Sequence, residues 1–121
     1  MAHEELPPDV RRCVDECSAC HELCTECVPH CLSLGGAHAA PDHIRELLDC
    51  ARLCAVSVEL MLRQSDFQVD VCDICAEACD LCAESCDPLA GDDDMMQRCA
   101  DQCRRCADAC RAMTASMTEA G

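Results

Sequence analysis

Cysteine falls at Cys13, Cys17, Cys20, Cys24, Cys27 and Cys31, then at Cys50 and Cys54, then at Cys72, Cys75, Cys79, Cys82 and Cys86, and last at Cys99, Cys103, Cys106 and Cys110. Within each run the steps alternate between three and four. That alternation follows one face of an α-helix, whereas a strand would step by two. A zinc or iron–sulfur loop would show one or two short clusters rather than a stripe five or six members long. The spacing therefore predicts helices that each turn a row of thiols to one side.

Punctuation between the runs sets four such helices. The first is expected over about 8–34, opening on Pro7-Pro8 and stopped by Gly35-Gly36. Pro29 lies inside it and removes one backbone bond near its last turns, which predicts a kink there. The second is expected over 41–64, from Pro41-Asp42. Ser65-Asp66-Phe67-Gln68 reads as a capping box opening a third helix over 66–86. Asp87-Pro88 ends that helix, and Asp92-Asp93-Asp94 offers a cap and favourable charge to a fourth over 92–117. Short connections between helices of this length predict one all-α domain over 1–121, an antiparallel up-down-up-down four-helix bundle with a Cys-lined core.

The stripes continue beyond the thiols. On the second helix the inward positions read His43, Leu47, Cys50, Cys54, Ser57 and Met61. On the fourth they read Met96, Cys99, Cys103, Cys106, Cys110, Met113 and Met117. In an antiparallel bundle Met61, Met113 and Met117 gather at the end that holds Cys13, and His38, His43 and Met96 gather at the other.

Composition says what such a core must do. Leu, Ile, Val and Phe number only 21 of 121 residues, and the net charge is −15. A chain so poor in large aliphatics and so charged would be disordered unless cysteine supplied the core. The 9 bases, all Arg, against 24 acids exclude a nucleic-acid surface and an anionic membrane partner. One Phe, with no Tyr or Trp, leaves no stacking platform for bases. No apolar run is long enough to span a bilayer. Met1–Pro8 lacks the basic and apolar blocks of an export leader, which predicts a cytoplasmic location. In a reducing compartment, thiols in this number are ligands rather than disulfides.

Packing alone does not account for seventeen cysteines, since Ala, Val or Leu would pack as well without the oxidation risk. Neighbours at i, i+3 and i, i+4 have Cβ atoms ~5–6 Å apart, and a disulfide needs roughly 3.5–4.5 Å. Two thiolates about 2.2 Å from one ion in a near-linear unit stand roughly 4 Å apart, which suits Cu(I) on Cys-x3-Cys pairs such as Cys75/Cys79 and Cys106/Cys110. Zinc prefers separate tetrahedral sets, into which a continuous one-face ladder does not divide. Each Cu(I) replacing one thiol proton also leaves the core neutral, whereas zinc on four thiolates leaves a formal −2 to bury. The thioethers of Met61, Met113 and Met117 point the same way, and His43 is a further candidate ligand. The expectation is a binding protein rather than an enzyme. A metallothionein-like Zn or Cd buffer and an iron–sulfur electron carrier are the alternatives.

The stripes, together with Gly35-Gly36-Ala37-His38, Asp42-His43-Ile44, Leu48-Asp49-Cys50 through Cys54, and Met61-Leu62-Arg63, resemble the cytosolic bacterial copper storage proteins. The resemblance covers nearly the whole chain. It implies a bundle that is folded without metal, that fills with many Cu(I) ions for storage and protection against copper toxicity, and that assembles as a homotetramer. A copper chaperone or a recipient enzyme would be the partners of such a store.

Overall fold

The computed structural model describes residues 5–120. Met1–Glu4, part of the stretch read for a leader, lies outside the described residues. Four helices follow in order, α1 Pro8–Leu34, α2 Pro41–Leu62, α3 Gln68–Cys86 and α4 Asp94–Ala120. Each packs on its two neighbours in a ring, α1 on α2, α2 on α3, α3 on α4 and α4 on α1. With these short connections, that ring is the expected antiparallel bundle. Among the described residues no helix is long and apolar enough to cross a membrane.

Pro8 sits at the first helical position of α1, where its missing N–H costs nothing. The helix continues through Pro29, and Cys31 beyond it remains fully buried, so the expected disturbance does not carry Cys31 out of the stripe. Gly35 and Gly36 then take φ +70 and +55, a left-handed bend that side chains resist. A short 3-10 turn over Gly36–Ala39 leads to α2.

Four boundaries differ from the spacing-based expectation. α2 stops at Leu62 rather than Gln64. Gln64 turns left-handed at φ +53, the Gln64 N–H donates to the Met61 carbonyl (3.1 Å), and the Ser65 N–H donates to that of Leu60 (2.9 Å). Those two bonds are a Schellman cap. α3 begins at Gln68 rather than at 66, because the Ser65 hydroxyl accepts from the Phe67 N–H (3.1 Å) instead of capping Gln68. The capping box does not form, and the Gln68 Oε1 is buried without a hydrogen-bond partner. α4 begins at Asp94 rather than at 92, since Asp93 is its cap: Asp93 Oδ1 accepts from the N–H groups of Met95 (3.0 Å) and Met96 (3.2 Å). The same helix runs past 117 to Ala120, through a segment of Ala, Met, Ser and Thr with no breaker.

Side chains tie the helices together at the rim. His21 Nδ1 lies 3.0 Å from the Ala51 carbonyl, joining α1 to α2. Gln102 donates to the Glu16 carboxylate (2.9 Å), joining α4 to α1. Arg104–Asp87 and Arg111–Asp80 bridge the α3 side to α4, exposed pairs of modest worth. The Asp93 cap carries more, because it serves two backbone donors. Replacing Asp93 by Ala should lower the stability of the metal-free protein by about 1–2 kcal/mol in urea melts, while Asp93→Asn, which still caps, should lose less; equal losses would show that the cap contributes nothing.

Candidate metal centre

Every one of the seventeen cysteines is fully buried as a free thiol. The α2 stripe is inward as expected, with Leu47, Cys50, Cys54, Ser57 and Met61 at 0% exposure and His43 at 4%. On α4, Met96 and Met113 are likewise fully buried, and Met117 is half-buried against the same core. The largest fully buried side chains, Leu47, Met61, Met96 and Met113, flank the thiols rather than separate them.

Two of the expected same-helix pairs lie close, Cys13–Cys17 and Cys20–Cys24, each at 3.9 Å between sulfurs. Most of the close contacts instead cross between helices. Cys17 meets Cys106 at 3.5 Å, Cys13 meets Cys110 at 3.6 Å, and Cys50 meets Cys79 at 3.6 Å. Cys54 meets Cys75 at 3.6 Å, and Cys24 meets Cys99 at 3.8 Å. Spacing within one helix could not reveal these neighbours, because it carries no information about the register of the facing helix.

That register corrects one expectation. The ladder does divide into four-sulfur sets whose atoms all lie within 4.8 Å of one another, among them Cys17/Cys75/Cys106/Cys110, Cys20/Cys50/Cys54/Cys79 and Cys24/Cys82/Cys99/Cys103. Two further sets, Cys20/Cys24/Cys50/Cys103 and Cys54/Cys75/Cys79/Cys106, use sulfurs already counted in the first three. Tetrahedral ions fit the first three sets, which share no sulfur, but ions in the two further sets would compete for corners already used. Ions bridged by thiolates use the sharing.

The two ends differ in chemistry. Near the close of α1, Cys31 Sγ lies 3.3 Å from His43 Nε2 and 3.7 Å from Met96 Sδ. His43 Nδ1 is 2.7 Å from the Ser85 hydroxyl, which fixes the ring so that Nε2 faces the sulfur. Ser85 carries no signal in the cysteine spacing, and only the packing of α3 on α2 reveals it. Burial pushes the His43 ring below its usual value, with His38 adding to the effect, and so favours the neutral form that a ligand needs. His38 reaches the same end, close enough to act on the His43 ring, but its Nε2 lies 2.9 Å from Asp93 Oδ2, whose other oxygen accepts from the Met96 N–H, rather than facing Cys31. At the opposite end Cys13, in contact with Cys17 and Cys110, is the first thiol of α1, and Ser57 Oγ is buried there without a partner.

Hydrogen bonds between thiols and burial together set the thiols' protons, lowering Cys20, Cys50, Cys75 and Cys99 through their thiol partners. Burial raises Cys31 from 9.0 to about 11, with the Asp93 charge adding to the effect. Cys27 is pushed up by its hydrogen bond to Cys99 and by burial, and Cys86 by its bonds to Cys82 and Cys99 and by burial. A thiol whose folded value is raised stabilises the fold below its unfolded-chain value, and that contribution is lost as pH climbs through the folded value. The contribution of Cys31 should therefore be present from neutral pH up to 9.0 and be lost progressively toward pH 11. Thermal melts of the parent and of Cys31→Ala across that range check this, and a difference between the two that stays constant with pH would mean that the Cys31 thiol ionises freely where it sits.

Comparison with known proteins agrees with this geometry. The family profile described as copper storage protein matches residues 7–115. A solved Nitrosospira multiformis protein is 42% identical, with a TM-score of 0.82 over 88% of this chain and 95% of its own. The Cu(I)-bound copper storage protein BsCsp3 is 33% identical, with a TM-score of 0.80 over 88% of this chain and 98% of its own. The copper storage protein Ccsp from Streptomyces lividans, loaded with 10 copper equivalents, is 28% identical, with a TM-score of 0.84 over 95% of this chain and 93% of its own. A curated cysteine-rich Bacillus subtilis protein, YhjQ, is 35% identical over 64 residues, a stretch that spans 53% of this chain and 59% of that relative's length. Bundle, buried thiols and profile together place the chain in the copper storage protein family.

Proposed function

We propose that this chain stores Cu(I) at high capacity, with its cysteine thiolates binding, bridging and neutralising the ions inside the bundle. The observation that carries the reading is a core of seventeen fully buried sulfurs whose four-sulfur sets share corners. Two structural relatives support it, one Cu(I)-bound and one loaded with 10 copper equivalents. Bridging lets one thiolate serve two ions, and each Cu(I) that displaces one proton leaves the dry interior neutral. The role is storage and protection from free copper in a reducing cytosol, not turnover of a substrate. The four-sulfur sets also favour a second reading, a Zn or Cd buffer. Competition with a Cu(I) chelator against a zinc dye separates the two.

His43 and the thioethers of Met61, Met113 and Met117 extend the ligand set at the two ends. The mouth of the tube is assigned to the Met end, where exposure is graded from half-buried Met117 to fully buried Met113 and Met61. A neutral thioether binds Cu(I) without losing a proton and more weakly than a thiolate, so it can pass the ion inward. A homotetramer is also proposed. Leu48, Leu62, Phe67, Ile74 and Leu81, each more than half exposed, offer it apolar surface; the solution mass tests it.

Anaerobic titration of the reduced protein should approach one Cu(I) per thiol, about 17 per chain. A plateau at about four to six ions would indicate separate tetrahedral clusters instead. Cys79→Ala should lower that capacity while leaving the helical circular dichroism of the metal-free protein intact, whereas a random-coil metal-free state would mean that metal nucleates the fold. Replacing Met61, Met113 and Met117 together by Leu conserves volume and apolarity. The fold should survive, the rate of loading from a Cu(I) donor should fall, and the final capacity should drop only by the outermost ions. Unchanged loading in that variant, with slowed loading in His43→Ala, would place the mouth at the other end.

A further inference from the structure

One cluster of metal-capable side chains stands outside the thiol core. His30 comes from the last turns of α1, His38 from the 3-10 turn, and Asp93 from the residue before α4. His30 Nε2 lies 2.8 Å and His38 Nε2 lies 2.9 Å from the same atom, Asp93 Oδ2. The ring centroids are 6.3 Å apart with planes at 80°, so the two imidazoles reach one point from different directions. The other carboxylate oxygen is held by the Met95 and Met96 N–H groups, which fixes how Oδ2 is presented. The three side chains are 30%, 22% and 12% exposed and border a surface cavity of about 790 Å³.

The donor set is two imidazole nitrogens and one carboxylate oxygen, with no sulfur. Such a set suits borderline divalent ions such as Zn(II) rather than Cu(I). Its dimensions fit as well. Ligands about 2.0–2.1 Å from one ion are about 2.9 Å apart when they meet near a right angle and about 3.3 Å apart in a tetrahedron. The present N···O separations, 2.8 and 2.9 Å, match the first and fall short of the second by about half an ångström. Local charge also favours a cation. Asp92, Asp93 and Asp94 line the cavity with a single Arg98, which pairs with Asp94 at 3.5 Å. The positive end of the α4 dipole opposes this, but Asp93 already answers it.

We propose that His30, His38 and Asp93 form an exterior site for a borderline divalent ion such as Zn(II), separate from the thiol core. The ion would replace two hydrogen bonds to one oxygen by three metal–ligand bonds, joining the end of α1, the 3-10 turn and the start of α4. These are the segments that carry Cys31 and Met96, so occupancy would also stiffen that end of the tube.

The protein is first filled anaerobically with Cu(I), which occupies the thiols and measures the storage capacity by itself. Zn(II) is then titrated in while the histidine ring nitrogens are followed by long-range proton–nitrogen NMR. One Zn(II) per chain should move the Nε2 signals of His30 and His38 and leave those of His21 and His43 in place. His38→Gln and Asp93→Asn should each weaken Zn(II) binding at least tenfold without changing the Cu(I) capacity, and Asn retains the helix cap. Ring signals unmoved by Zn(II), or equal Zn(II) affinity in the parent and both variants, would reduce the cluster to a structural latch. The ring signals report this site even if the thiols fail to fill with Cu(I), so the two readings fail separately.

Discussion

Thiol sulfurs from all four helices meet at 3.5–4.0 Å along the bundle axis, and a side chain as short as cysteine reaches that axis only when the helices crowd together. Close packing is therefore imposed by the core residues themselves. The consequences run outward. Residues beside the stripe must be small, and Ala51, Ala76, Ala83, Ala100, Ala107 and Ala109 are indeed buried there. Larger apolar side chains fit only toward the ends, where Leu47, Met61, Met96 and Met113 sit. A chain with so few large aliphatics can still exclude water, because the sulfurs fill the centre at contact distance.

The same crowding decides what the site can hold. The central sulfurs touch partners on other helices, and Cys20, Cys24, Cys50, Cys54, Cys75, Cys79, Cys103 and Cys106 each belong to two four-sulfur sets. Cys24 illustrates this, with Cys20, Cys82, Cys99 and Cys103 all within 4.0 Å. An ion placed among four of these sulfurs borrows from its neighbours' sets. A monovalent soft ion with low coordination number tolerates such sharing, whereas a divalent tetrahedral ion leaves negative charge behind in a dry interior.

Much of this was legible in one dimension. The alternation of three and four fixed which face of each helix is buried, including Ser57 and His43, because helical periodicity survives whatever the helix packs against. Contacts between helices were not legible. The shared four-sulfur sets depend on register, and the His38–Asp93 contact joins residues 55 positions apart through the packing of the 3-10 turn on the start of α4. Local competition hid the rest. Ser65 has the right spacing for a capping box, yet its hydroxyl is taken by the nearer Phe67 N–H, and Gln64 ends α2 in a left-handed conformation that glycine usually adopts.

Charge separation connects the core to the surface. The acids of α1 and α3, such as Asp15, Glu22, Asp73 and Glu77, are exposed, and the inward face carries no carboxylate among the described residues. A net charge of −15 thus lies almost wholly on the outside of a core that is neutral both as thiols and as Cu(I) thiolates. Filling such a core exchanges one positive charge for another, proton for copper, so neither the internal electrostatics nor the surface field has to change with loading. A fold held by sulfur packing can then take up or give back ions in large number without being remade at each step.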